Sequence, residues 1–387
     1  MLCNMAERPS DIMAHFDLDS FFVSVEFLTA PALKNKAVIV GGQNERGIVT
    51  TCSYEARKFG IHSAMPMKTA MRLCPHAIVI SGNYAEYSRY SRWVTDIIAS
   101  KAPLFEKASI DEFYIDLTGM DQYFDPLQWT IALRELIMSE TGLPISFGIG
   151  KNKMLAKMAT NEAKPNGFLQ VPLGKEKEFL APLPVDKIPG VGDQANRVLN
   201  YHGYKLIGDL HKTTAEDLEK LLGKWGHELW NKAQGNHASV IHIYHEAKSI
   251  SKENTFMDNV TNVEILIKEM VVMVESISFK LRKDERFARC ISVKIRYPDF
   301  ETVSRQASIS PTSADEELIP VARDLFHKLY KKGMPVRLLG VKISDFVNHA
   351  VQTNLFQDAE KKSGLYKAID DVKNKFGKSS VYRASGK

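Results

Sequence analysis

Through the first half of the chain, short apolar runs bounded by Gly, Pro and polar clusters alternate with stretches whose apolar residues recur at helical spacing. Residues 13–25 and 36–41 read as strands, with a helical pattern beginning near Phe21. From Ser53 to about Leu73 the spacing is helical, interrupted by Gly60 and Pro66. Ala77-Ile78-Val79-Ile80 is the next strand, and Tyr87, Tyr90 and Val94 place a helix over 84–100. Two strands flank Asp111, followed by a helix near 127–141 and a strand at 144–149. Elements in β-α-β-β-α-β order predict a ferredoxin-like sheet.

From about 172 to 238 the pattern is helical, with short Gly-containing turns and no convincing strand. The polar stretch 244–252 reads as an interdomain linker. A second α/β unit follows to about 350, with helices near 262–283 and 315–332 and strands at 289–297, 303–309 and 338–345. In its first strand Ile291, Val293, Ile295 and Tyr297 share one face, while Ser292, Lys294 and Arg296 share the other. Lys342 falls on the polar face of a similar alternation, Val341-Lys342-Ile343-Ser344. Such a polar face needs no explanation beyond solvation. In the polar tail, 351–387, Leu365, Ile369, Val372 and Phe376 fall at helical spacing and predict a docking helix.

The 387 residues are enough for about two to four domains. A charged fraction of 25% and an apolar fraction of 44% are those of a soluble globular protein. The net charge of +5 permits nucleic-acid binding without demanding it. Cys3, Cys52, Cys74 and Cys290 form no C-x-x-C pair, which argues against a zinc site or a disulfide framework. No apolar run reaches membrane-spanning length, and residues 1–8 carry no hydrophobic signal region, so a cytoplasmic location is expected.

Chemistry concentrates in two acidic strands, 15–22 and 109–116. A buried ionised carboxylate is costly unless paired or bound to a metal. No Lys or Arg lies near these carboxylates in sequence, so Mg²⁺ is the expected compensator. Three carboxylates on neighbouring strands read as a two-metal phosphoryl-transfer site. Asp17 and Asp19, two apart, point to one face of a strand. Adjacent Asp111 and Glu112 can share a site only at a strand end or hairpin bend. A D-x-D pair alone also suits a nucleotide-sugar transferase.

Tyr54 and Arg57 are three apart on a helical turn, and an Arg fork beside a phenol suits a triphosphate. Lys151, Lys153 and Lys157 read as the solvated face of a helix. Lys164 differs, because Pro165 and Gly167 fix it in a turn where its ammonium could neutralise a leaving pyrophosphate.

The strings DLDSFFVSVE (17–26), TTCSYEARKFGIHSAMP (50–66), SIDEFYIDLT (109–118), SFGIGKNKMLAKMAT (146–160) and KPNG (164–167) occur in this order. Over roughly residues 13–350 the chain resembles Y-family translesion DNA polymerases of the DNA polymerase IV type. The resemblance implies an α/β multidomain, right-hand architecture. A ferredoxin-like palm would take 1–25 and 78–171, small fingers 26–77, and a helical thumb with a helix-hairpin-helix 172–240. A linker at 241–250 would lead to an α/β little finger at 251–350 and a tail at 351–387.

It further implies two Mg²⁺ ions held by Asp17, Asp111, Glu112 and the Leu18 backbone carbonyl, with Asp19 in support. Phe22, beside Phe21, would be the steric gate under the deoxyribose; the two rings cannot both face inward on an extended segment. Tyr54, Arg57 and Lys164 would bind the dNTP triphosphate, and Ser63 and Ala64 would roof the nascent base pair, so low fidelity is expected. Gly190 and Gly192 would bring backbone amides to DNA phosphates; Leu221-Leu222-Gly223-Lys224 reads as a weaker second copy. Lys294, Arg296 and Lys342 would lie along the backbone of primer-template DNA. Gln352, Leu355 and Phe356 resemble a sliding-clamp-binding pentapeptide, departing from it at Thr353. A monomer is expected. The rival readings are a nucleotide-sugar transferase and a catalytically inactive DNA- or clamp-binding scaffold; the presence of Asp17, Asp111, Glu112, Arg57 and Lys164 favours the polymerase.

Overall fold

A computed structural model describes residues 12–44, 46–243, 246–348, 359–377 and 380–386. Two compact units divide at 245/246. In the first, β1 (Met13–Leu18) leads into α1 (Phe21–Thr29). Next come β2 (Val38–Gly41), β3 (Val49–Cys52), α2 (Tyr54–Arg57), α3 (Met67–Leu73) and β4 (Ile78–Ile80). Strands β3, β2 and β4 form a small sheet, whose third strand lies just beyond the 26–77 span expected for the fingers. The β3 strand went unpredicted, because four residues leading straight into a helical pattern carry too little period of their own.

Helix α4 (Tyr84–Lys101) returns to the main sheet through β5 (Phe105–Lys107) and β6 (Glu112–Asp116). Then follow α5 (Pro126–Thr141), β7 (Ile145–Gly150), α6 (Lys153–Ala163) and β8 (Phe168–Gln170). The helix starts are written locally. The Asn83 side chain accepts from Glu86 N–H, and Asn152 from Leu155 N–H at 3.0 Å. The Asp125 side chain accepts from Leu127 N–H, with Pro126 at the first helical position.

The main sheet has the order β5-β6-β1-β7-β8, the ferredoxin-like arrangement extended by β8 parallel to β7. β1 runs antiparallel to both neighbours and is buried throughout. One face carries Ala14, Phe16, Leu18, Phe113, Ile115 and Phe147, which pack with Val94, Ile98, Leu133 and Ile137 of α4 and α5. The opposite face carries His15, Asp17 and Glu112, and α6 lies against it. Close approach there requires Gly148. A Cβ at that position would meet the Ala156 carbonyl oxygen and the Thr160 amide nitrogen at 2.4 Å.

Beyond β8 are α7 (Glu176–Leu180), α8 (Asp193–Tyr201), α9 (Ile207–Leu210), α10 (Ala215–Leu222) and α11 (Lys224–Ala233). Their core continues onto Met154, Leu155 and Met158 of α6. Gly190 turns with φ +104° between a short 3-10 turn at Val185–Lys187 and α8, and Gly223 with φ +68° joins α10 to α11.

In the second unit, β9 (Ser249–Val260), α12 (Val263–Lys283), β10 (Phe287–Arg296), β11 (Thr302–Thr312), α13 (Asp315–Leu329) and β12 (Val336–Val347) build a four-stranded sheet of order β11-β10-β12-β9. Ile291, Val293, Ile295 and Tyr297 pack under α12 and α13 as their alternation predicts. On the other face Lys294 bonds Glu253 at 2.5 Å, Arg296 bonds Thr302 and Lys342 is exposed. β9 begins inside the stretch read as linker. It is an edge strand held by its backbone to β12, so its sequence need not alternate.

Helix α14 (Ala359–Phe376) docks, but not through its apolar stripe. Leu365, Val372 and Phe376 are exposed, whereas Lys373 is buried. Asp370 takes a two-pronged bond from Arg282, whose guanidinium also lies over the Tyr366 ring. Arg383 likewise pairs with buried Asp315. Gln352, Leu355 and Phe356 fall outside the described residues.

Gly148→Ala should destabilise the protein by about 1–3 kcal/mol in urea unfolding, since overpacking displaces helix from sheet. An unchanged midpoint would mean that α6 can move away freely.

Candidate active site

Asp17 and Glu112 are direct cross-strand partners in the β1–β6 ladder. Like charges facing each other across a ladder repel, and Asp17 is only 6% exposed. Asp111 sits in the bend just before β6, which resolves how adjacent acidic residues can serve one site. Ser109 shapes that bend. Its hydroxyl bonds the Asp111 carboxylate at 2.5 Å and accepts from the Glu112 amide at 3.0 Å. The Leu18 amide donates to the Asp111 carbonyl at 3.1 Å, tying the ends of β1 and the bend together.

Contrary to the expectation of unpaired carboxylates, cations do reach them. Lys164 Nζ lies 2.6 Å from Asp17, and Lys157 Nζ lies 2.6 and 2.7 Å from the two Glu112 oxygens. Lys153 pairs with Glu106, and Thr160 bonds the His15 ring at 2.9 Å and its carbonyl at 3.0 Å. Positions 153, 157, 160 and 164 form one helical stripe. Of the lysines read as a solvated face, Lys153 and Lys157 are therefore turned onto an acidic sheet, whereas Lys151 bonds Asn236. The signal was present in their spacing, but a lysine stripe in sequence does not reveal what it faces.

Burial raises the Asp17 carboxyl to about 7, aided by Glu112 and Asp111 and opposed by Lys164. For Glu112 burial also acts upward, but the facing His15 ring and the Lys157 ammonium outweigh it and hold the group well below the usual carboxylate range. Burial lowers His15 to about 4, so its ring is neutral at pH 7, with Nε2 3.8 Å from Glu112 and no hydrogen bond of its own.

Ligand atoms of His15, Asp17 and Glu112 lie within 4.8 Å of one another. The open side of the cluster, however, is a cavity of about 290 Å³ lined by Asp17, Leu18 and Asp111 but by neither His15 nor Glu112. Oxygen donors suit a hard divalent cation; Glu112, with its side chain 22% exposed, remains within reach of one, whereas His15, fully buried, is left as a support. The same cavity is lined by Phe21, Phe22, Thr50, Thr51, Arg57, Ser63 and Lys164. Phe21 and Phe22 open α1 instead of lying on an extended segment, which lets both reach the cavity. Ala64 is exposed beside Ser63, with φ +68°.

Asp19 lies beyond the end of β1, and its carboxylate is fully engaged. It accepts from Tyr54 at 3.1 Å, from Ser146 at 2.8 Å and from the Asn166 amide at 2.8 Å. The Arg57 guanidinium stacks on the Tyr54 ring, 4.8 Å from its centroid. Arg134 holds the Lys164 turn from behind through the Asn166 carbonyl at 2.8 Å. Arg134, Lys157 and Ser109 are site residues that sequence reasoning did not single out; Tyr87, whose ring stacks on Phe22, lies behind the site without lining its cavity.

The impB/mucB/samB family model matches residues 16–161, and the model of that family's C-terminal domain matches 247–355. A model of the DNA polymerase-iota thumb domain matches 186–236. The chain is 40% identical over 375 residues to DNA polymerase IV of Dehalococcoides mccartyi (strain CBDB1), covering 95% of each chain. It is 37% identical over 382 residues to DNA polymerase IV of Desulfatibacillum aliphaticivorans, covering 97% of this chain and 96% of that one. Among solved structures, the Y-family DNA polymerase chimera Dbh-Dpo4(243-245)-Dbh superposes with a TM-score of 0.78 at 27% identity. That match covers 87% of this chain and 100% of the chimera.

A carboxylate cluster at the floor of a cavity on a ferredoxin-like sheet, with a helical domain and a second α/β unit, defines a DNA-directed DNA polymerase of the translesion class. The chain belongs to the DNA polymerase IV family. Divalent-metal dependence follows from that membership, and the donor set facing the cavity fits it.

Asp19→Ala should lower stability by about 2–3 kcal/mol, because it strands the donors that converge on this carboxylate. Asp19→Asn, keeping one acceptor oxygen, should cost less; equal unfolding midpoints for the two would deny Asp19 this role.

Proposed function

We propose that this cavity receives a dNTP opposite primer-template DNA and that the chain adds it to the primer 3′-hydroxyl. The observation carrying this reading is that Asp17, in register with Glu112, and Asp111 at the adjoining bend line a cavity that also holds Arg57 and Lys164. Two Mg²⁺ ions, held by Asp17, Asp111, Glu112 and the Leu18 carbonyl, would supply the charge that acidifies the 3′-hydroxyl and neutralises the triphosphate.

The chain's own groups do the positioning. Arg57, held flat on Tyr54, offers a fork to phosphate oxygens. Lys164, paired with Asp17, would gain a second anionic partner when a triphosphate enters. Phe22 acts as the steric gate beneath the sugar, backed by Phe21. Ser63 and Ala64 roof the base pair with small side chains, so shape is checked loosely and fidelity is low.

Gly190 and Gly192 give the thumb's hairpin its approach to DNA phosphates. Lys294, Arg296 and Lys342 give the little finger a phosphate-directed, salt-sensitive face. Gln352, Leu355 and Phe356 bind a sliding clamp. The enzyme works as a monomer in the cytoplasm. Among the described residues no helix is long and apolar enough to cross a membrane.

Primer extension with Mg²⁺ and single dNTPs should show templated addition by the wild type and its loss in Asp111→Ala. A folded, DNA-binding wild type that extends nothing would overturn the reading. Replacing Gln352 and Phe356 with Ala should remove clamp-stimulated synthesis and spare unstimulated extension; surviving stimulation would reduce the peptide to a linker.

A further inference from the structure

Phe22 and Glu26 lie one turn apart on α1 and share a face. Tyr87 of α4 packs against both. Its ring stacks on Phe22 with centroids 4.1 Å apart and planes 9° from parallel. Its hydroxyl donates to Glu26 Oε1 at 2.5 Å. Tyr84 closes the cluster, edge-on to Phe22 at 5.6 Å and to Tyr87 at 5.7 Å. Tyr87 is fully buried.

A stack of parallel rings resists compression but slides easily, since dispersion is nearly flat along the ring plane. The hydrogen bond removes that freedom. It pins Tyr87 to the same helix that carries Phe22, so the two rings and Glu26 form a closed loop of contacts. Neither Glu26 nor Tyr87 lines the cavity.

We infer that Glu26 and Tyr87 are positioning residues that hold the Phe22 ring at a fixed height, and that this pin sets how strictly the enzyme rejects a ribose. The inference rests on the reading of Phe22 as the sugar gate. A gate that must detect one hydroxyl cannot yield by much, because a displacement of about 1 Å is enough to change rates a hundredfold. The pin bears on the 2′ side of the sugar, so it governs ribonucleotide rejection and leaves deoxynucleotide addition alone.

The test compares kcat/KM for a dNTP and the matching rNTP in primer extension. Tyr87→Phe keeps the ring and removes the donor; Glu26→Ala removes the acceptor. Each should reduce sugar discrimination by about three- to tenfold, the worth of one hydrogen bond, with kcat/KM for the dNTP unchanged. Glu26→Gln, whose amide oxygen still accepts, should restore discrimination. The double variant Glu26→Ala/Tyr87→Phe should be no more permissive than either single change. Phe22→Ala is the reference for the gate itself. If Phe22→Ala admits ribonucleotides while Glu26→Ala and Tyr87→Phe discriminate as the wild type does, the pin is overturned and the gate stands. If Phe22→Ala leaves discrimination unchanged, the gate reading fails and takes the pin with it. A parallel fall in dNTP and rNTP use would also overturn the pin, since it would mark general damage.

Discussion

Two carboxylates that the β1–β6 register sets face to face, Asp17 and Glu112, impose the main electrostatic constraint on the first unit. Neither can be moved without shifting a ladder whose other face is core, because a one-residue slip would exchange the two faces. The repulsion is met from one helix. Along α6 and its C-cap, Lys153, Lys157 and Lys164 descend onto Glu106, Glu112 and Asp17, which belong to three successive strands, β5, β6 and β1. Thr160 fills the remaining place on the stripe by bonding His15. Gly148 lets the helix come close enough for these contacts.

That helix has a second duty. Its outer side, Met154, Leu155 and Met158, is part of the thumb's core together with Leu180, Ile188 and Leu199. At its start, Asn152 and Lys153 bond the chain as it leaves the thumb, at the Gly235 carbonyl and at Ser239. A single element thus carries charge to the palm and an apolar surface to the thumb. Substitutions on α6 cannot be assigned to one domain. Asp19 plays the corresponding part toward the small sheet, joining Tyr54 to the turn that presents Lys164.

The main sheet was legible because its strands obey a period of two and its acidic positions interrupt apolar runs. The Asp111–Glu112 doublet even announced the bend it occupies. Other features lacked a local signal. β9 is held by backbone bonds at an edge, so polar residues on both faces cost it nothing. α14 docks through Arg282 and Asp370, and an ion pair separated by 88 positions in sequence has no periodicity to read. Lys157 was visible, but its partner lies 45 residues earlier. The directions of Phe21 and Phe22 were not legible for a different reason. Strand and helical readings overlap over 21–25; Ser20, with φ 43°, ends the strand, and α1 begins at Phe21, where the helical pattern was expected to begin.

The lysine pairs on Asp17 and Glu112 also bear on how the polypeptide is made and kept. Many metal-dependent folds need their ion to neutralise a buried acidic cluster, and they unravel when it is withdrawn. Here two ammonium groups, covalently part of the chain, already balance the carboxylates. Neutralising Asp17 and Glu112 as the chain folds therefore does not wait on a divalent ion.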